Sequence, residues 1–236
     1  MHKTEQHIKK HFKGSFLIKP SALQKKLSQI KAYVFDWDGV FNDGQKNENG
    51  SSSFSEVDAM GTNLLRFNHY LRTGKTPVVA IISSEKNKAA FTLAEREHFD
   101  SAYYKVSLKT EALKHLCSIH KIKPTEVAFF FDDVLDLAAA KICGLRIMIG
   151  RQCNPLLTNL VKENNLADYI TACGGSNHAI RESSELLTGL SGKYEETILQ
   201  RMNYTKKYQD YLKIRNKPVT AYYTSAGTKI KEQQPL

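Results

Sequence analysis

Residues 33–44 read YVFDWDGVFNDG. Tyr33, Val34 and Phe35 form an apolar run without polar alternation, the pattern of a strand covered on both faces. The run ends in Asp36 and Asp38, Asp43 follows, and glycines stand at 39 and 44. A dry interior penalises unpaired carboxylates, so a buried strand that finishes in them points to a site. Similar runs occur at Val78–Ile82, Val127–Phe131 and Leu145–Ile149, with weaker ones at Ala102–Tyr104 and Tyr169–Thr171. Between them, helical spacing is present around 61–72, 85–98, 108–120, 134–142 and 155–165. Asn154 before Pro155 has the form of an N-cap with proline at the first helical position. Strand and helix alternating in this way predict an α/β fold with a doubly wound, mostly parallel sheet.

Open α/β sheets bind ligands at the carboxyl ends of their strands. That rule gathers Asp36 and Asp38 from the first strand, Ser83 and Ser84 from VVAIISS, and Asp132, Asp133 and Asp136 from VAFFFDDVLD. Lys109 opens a helix between the last two. Two carboxylates ~4 Å apart repel by about 4 kcal/mol at an effective dielectric near 20. A hard divalent cation relieves this, and oxygen-only ligands left partly open favour Mg²⁺. Ser83 and Lys109 are then placed to bind a phosphate against the metal.

The rest of the chain narrows the class. A hydrophobic share of 41% with 25% charged residues is that of a soluble globular protein, and no run reaches membrane-spanning length. Four cysteines without a CxxC pair read as reduced thiols of a cytoplasmic protein. The net charge of +10 is carried by the ends: residues 1–31 contribute +7, residues 193–236 contribute +5, and the stretch between carries −2. The ends read as solvated basic flanks, and nucleic acid is not the expected partner. Asn49-Gly50 between polar stretches predicts a small β-hairpin over 41–58. Residues 193–214 predict one helix with an aromatic and aliphatic stripe, and the polar segment after Pro218 is expected to be loose. The expected organisation is a basic extension at 1–30, a catalytic domain at 31–190 and a C-terminal helix and tail at 191–236.

The order of these motifs, DWDGVFNDG, IISSE, Lys109 within SLKTEALKHL, and FFFDDVLD, resembles the haloacid dehalogenase (HAD) superfamily of phosphohydrolases. FSEVDAMG, CGLRIMIG, ADYIT and GGSNHAIRE extend the likeness, over about residues 30–190, to its small-cap (C0) phosphatases of 3-deoxy-D-manno-octulosonate 8-phosphate, which serve lipopolysaccharide biosynthesis. The resemblance implies that Asp36 is a nucleophile forming an aspartyl-phosphate and that Asp38 is the general acid and base. It implies Mg²⁺ held by Asp36, Asp132 and the Asp38 backbone carbonyl, with Asp133 and Asp136 around its waters. Ser83 and Lys109 bind the phosphoryl oxygens. It implies a Rossmann-like sheet with a hairpin cap and a C-terminal helical extension, a small phosphorylated metabolite as substrate, and a homo-oligomer, a tetramer, covering the open site. The 193–214 stripe either extends that interface or packs on its own domain.

Three positions depart from the family pattern. Thr-Gly-Arg is replaced by Ser83-Ser84-Glu85, an arginine of the late loop by Asn177 beside His178, and a glycine before the two aspartates by Phe131. Glu85, Asn177 and His178 are therefore the candidate substrate contacts. The competing readings are a phosphatase of nucleic-acid or protein phosphates and a non-catalytic homologue used for binding or assembly.

Overall fold

The computed structural model describes residues 8–227 and 229–235. Nine strands among the described residues form one sheet: β1 (Ser15–Phe16), β2 (Ala32–Phe35), β3 (Val78–Ile82), β4 (Ser101–Tyr104), β5 (Val127–Phe131), β6 (Leu145–Met148), β7 (Tyr169–Ile170), β8 (Ala221–Ala226) and β9 (Lys229–Glu232). Their order across the sheet is β1-β7-β6-β5-β2-β3-β4-β8-β9. All neighbours run parallel except the two outer pairs, β1 with β7 and β8 with β9. β2 lies between β3 and β5, with Phe35 in register with Ile81 and Phe130. The carboxyl ends of the three motif-bearing strands therefore meet on one edge.

Period-two alternation sorts the strand side chains into two cores. Tyr33, Phe35, Ile81 and Phe130 belong to one, with Leu27 of α1 (Pro20–Gln29), Leu65 of α2 (Glu56–Thr73), Leu93 of α3 (Lys88–Arg96) and Leu186 of α7 (Ala179–Leu190). Val34, Ile82, Phe129 and Phe131 belong to the other, with Leu113 of α4 (Lys109–Ile119), Ala140 of α5 (Leu137–Ile142) and Val161 of α6 (Pro155–Glu163). Covering both faces explains why the strands read as continuous apolar runs. Close packing of α2 on α7 uses Gly61, where a Cβ would stand 3.0 Å from the Arg181 Cα.

Three expectations differ from the structure. Segment 41–55 has no paired strands; it is a loop closed by a turn in which Asn47 N donates to Ser51 O at 2.9 Å. The Asn47 side chain accepts from the amides of Asn49 and Ser51, each at 3.0 Å, offering the backbone a local alternative to a ladder. The expected single helix at 193–214 is two, α8 (Tyr194–Met202) and α9 (Lys206–Arg215), separated at Tyr204 with φ 46°. The aromatic stripe packs on its own domain: Tyr208 and Tyr211 lie 4.9 and 5.0 Å from the Phe67 ring of α2. The segment expected to be loose supplies β8 and β9. Residues 1–7 of the basic extension lie outside the described residues; the remainder adds Ile8 to the core and β1 to the sheet. No helix among the described residues is long and apolar enough to cross a membrane.

Candidate active site

Asp36 follows β2, and its amide continues the ladder by donating to Phe130 O at 2.9 Å. Asp132 follows β5, Ser83 follows β3, and Lys109 starts α4. Asp36, Asp38, Ser83, Lys109, Asp132, Asp133 and Asp136 line one cavity of about 360 Å³, with Glu85 at its rim. Oxygens of Asp36, Asp132 and Asp136 lie within 4.8 Å of one another, and all three residues are buried. Lys109 Nζ bridges Asp36 Oδ1 and Asp136 Oδ1, each at 2.6 Å. An ammonium has three donors, so this arrangement keeps one for a phosphoryl oxygen. Ser83 Oγ accepts the Glu85 amide at 3.1 Å and retains its own O–H as a donor.

The electrostatics show an excess of negative charge. Burial first, and the Asp36 charge second, push Asp132 up to about 8 although Arg151 opposes the shift. The same two causes push Asp136 up to about 7, against Lys109. Burial alone would lower Lys109, but the Asp36 and Asp136 carboxylates outweigh it and raise the ammonium's pKa. Three buried carboxylates facing two cations form an oxygen-only donor set that suits a hard divalent cation such as Mg²⁺.

Asp38 is held separately. Its Oδ2 pairs with Lys46 Nζ at 2.5 Å, and its Oδ1 accepts from Ser52 Oγ. Ser52 is buried and accepts in turn from Trp37 Nε1 at 3.1 Å and Asn87 Nδ2 at 2.6 Å. Trp37, between the two aspartates, points into the core and stacks on Phe41 at 5.0 Å. Asn42 braces the loop by accepting the amides of Gly39 at 3.3 Å and Gly44 at 2.9 Å.

Asp133 and Asp136 both line the cavity. Asp136, expected around the metal's waters, has its carboxylate in the inner cluster with Asp36 and Asp132. Asp133 is exposed and accepts the Val134 amide at 2.7 Å. Among the candidate substrate contacts, Asn177 lines a neighbouring groove, whereas His178 lies 3.4 Å from Asp58 Oδ2 and lines neither cavity. Phe131 is buried against Phe129 at 5.7 Å, away from the cavity. Sequence reading missed Lys46, Ser52, Asn87 and Arg151. Arg151, whose Nη2 lies 2.8 Å from Asp132 Oδ2, follows the carboxyl end of β6 and was accessible to the same strand-end rule. The other three carry no motif.

No family model matches the chain. A parallel sheet whose central strand presents DWDG to a cluster of carboxylates, a serine and a lysine defines a phosphohydrolase class, and the chain is similar to phosphatases of the HAD superfamily. A Legionella pneumophila structure described as a HAD superfamily (subfamily III A) hydrolase superposes with TM-score 0.64 at 26% identity, covering 78% of this chain and 95% of that one. Among curated proteins, the 3-deoxy-D-manno-octulosonate 8-phosphate phosphatase KdsC of Escherichia coli (strain K12) is 29% identical over 177 residues, 72% of this chain and 86% of that one. The Moraxella catarrhalis 3-deoxy-D-manno-octulosonate 8-phosphate phosphatase, solved with magnesium, phosphate and KDO, shares the fold with TM-score 0.62 at 24% identity, covering 76% and 97%.

Proposed function

We propose that the protein is a Mg²⁺-dependent phosphomonoester hydrolase working through an aspartyl-phosphate on Asp36, with 3-deoxy-D-manno-octulosonate 8-phosphate as substrate. The observation that carries this is the meeting of Asp36, Asp132 and Asp136 with Lys109 and Ser83 in one cavity, beside an independently held Asp38. The substrate is taken from the likeness to KdsC. Asp36, Asp132 and Asp136 would hold the metal, which when bound supplies Lewis-acid stabilisation of charge on the phosphoryl oxygens.

An oxygen of Asp36 attacks phosphorus as the bond to the sugar oxygen breaks, and Asp38 gives that oxygen its proton. Lys109 and Ser83 donate to the equatorial oxygens, where the charge of the transferring group is spread. Water then attacks the aspartyl-phosphate, Asp38 takes its proton, and cleavage of the Asp36–phosphorus bond frees inorganic phosphate. Ser52 and Lys46 fix the Asp38 carboxylate for both transfers. Phosphate release from the sugar phosphate and from an aryl phosphate tests the reading. Both reactions are expected to stop in EDTA and to fall at least about 10³-fold in Asp36→Asn, because an amide is a poor nucleophile. Full activity in that variant would remove Asp36 from the chemistry.

The same reading takes the working form as a homo-oligomer, a tetramer, in the cytoplasm. The oligomer is supported by exposed apolar side chains at the site: Leu135, which lines the cavity, is 64% exposed and its chain neighbour Val134 60%. Light scattering is expected to give a multiple of the 26.7 kDa chain mass; a mass of one chain at micromolar concentration would reject it.

A further inference from the structure

Arg151 is the cation of this site that the proposed chemistry leaves unused. It follows Gly150, which is drawn against Thr171: Gly150 N donates to Thr171 Oγ1 at 2.9 Å, and a Cβ on Gly150 would meet Thr171 O at 2.2 Å. From that anchored point the side chain crosses to the DWDG loop, where a Cβ on Gly39 would stand 1.9 Å from Nη2. Nη2 reaches Asp132 Oδ2 at 2.8 Å, with Arg151 25% exposed and Asp132 3%. Arg151 lines the carboxylate cavity and also an adjoining groove of about 560 Å³. It is the one cationic side chain among the described residues lining that groove, whose walls also carry one acid, Asp43, and the polar Gln152, Thr158, Thr171, Ser176 and Asn177.

The other cations around Asp36 and Asp38 are tied by two carboxylates at once or lie outside the inner cluster. Lys109 bridges Asp36 and Asp136, and Lys46 is paired with Asp38 outside the inner cluster. Arg151 has one carboxylate partner among the described residues, Asp132, and a divalent cation would claim it. A guanidinium and a doubly charged cation on the same carboxylate repel each other strongly at this range. The displaced guanidinium has a short path into the groove, where its planar fork matches a carboxylate bidentately. Hydroxyl and amide groups around it suit a polyhydroxylated ligand.

Resting on the phosphatase reading, we infer that Arg151 competes with the divalent cation for Asp132 and, once displaced, binds the carboxylate of a polyhydroxylated acid phosphate lying in the groove beside Gly150 and Asn177. Metal binding and substrate recognition are thereby coupled through one side chain. Arg151→Gln removes both the competitor and the fork; Arg151→Lys keeps the charge and loses the fork.

Calorimetric Mg²⁺ titration of the full chain without substrate is the first measurement. Arg151→Gln is expected to bind Mg²⁺ at least about fivefold more tightly than wild type, with Arg151→Lys within about twofold of wild type. The second is the ratio of kcat/KM for the sugar acid phosphate to kcat/KM for p-nitrophenyl phosphate, which has no second anion. This ratio is expected to fall at least about tenfold in both variants, the loss typical of one charge-assisted contact. An Mg²⁺ affinity of Arg151→Gln within twofold of wild type, or an unchanged ratio in both variants, overturns the inference. Wild-type protein that releases no phosphate from either compound overturns the phosphatase reading instead, and the Mg²⁺ titration still reports the competition.

Discussion

Gly39 has φ +84°, and a Cβ there would lie 2.1 Å from Asp132 Oδ2 as well as 1.9 Å from Arg151 Nη2. The left-handed conformation disfavours any L side chain by about 1–2 kcal/mol, and the methyl group would also push the Asp132 carboxylate off its position. Gly39→Ala is therefore expected to weaken Mg²⁺ binding and cut phosphate release at least about 100-fold. Thermal denaturation of the same variant should show a loss of only a few degrees, since the loop lies at the edge of the core. Native Mg²⁺ affinity in Gly39→Ala would show that Asp132 is not confined by this loop. The carboxylates, Ser83 and Lys109 were legible in the sequence because strand ends in a parallel sheet share one edge. Lys46 and Ser52 were not, because the loop that brings them to Asp38 has no periodicity to read, and Asn87, the N-cap of α3, meets that loop only through tertiary packing.

At the scale of elements, α2 is held on β2 partly by His69, which is buried beside Tyr33. Its Nδ1 accepts from Tyr33 Oη at 3.4 Å and from Arg72 Nη2 at 3.3 Å, which puts the ring proton on Nε2. Burial, helped by the Arg72 charge, lowers the imidazole to about 3. Above the unfolded value of 6.5 both states are neutral and the group is silent. As pH falls from 6.5 towards 3, only the unfolded chain takes up the proton, so stability is lost across that window. Urea midpoints measured from pH 7 to pH 4 should fall, and His69→Asn should be less stable at pH 7 yet flatter with pH. Equal slopes for the two proteins would assign the acid loss to other groups. The neighbouring element α9 shows what periodicity leaves open. Its aromatic stripe was visible, but whether it faced a second copy or Phe67 depended on the turn at Tyr204, whose positive φ redirects the chain.

Over the whole molecule, the C-terminal segment completes the sheet. β8 pairs in parallel with β4, Tyr222 meets the Phe91 ring at 5.4 Å, and Tyr223 stacks on Tyr103 at 4.9 Å. Thr220 Oγ1 also donates to Phe99 O at 2.8 Å. Ending the chain after Lys217 removes these contacts and exposes the β4 edge. Burial of two aromatic side chains is worth about 3–6 kcal/mol, so the truncated chain is expected to melt about 10 °C lower or more and to aggregate on heating. An unchanged melting temperature would show that β8 and β9 are ornamental. The sequence by itself determined the α/β class, six of the seven inner parallel strands and the acidic strand ends, because both core faces demand apolar runs and DxD breaks them at the sheet edge. Only the tertiary structure decided that the polar tail becomes strands, that the 41–55 segment is a loop, that Asp136 joins the inner carboxylates and that Arg151 reaches Asp132. Apart from the loop, which Asn47 closes locally, these depend on a partner elsewhere in the fold, an open β4 edge or a carboxylate after a neighbouring strand, and no local pattern encodes such a partner.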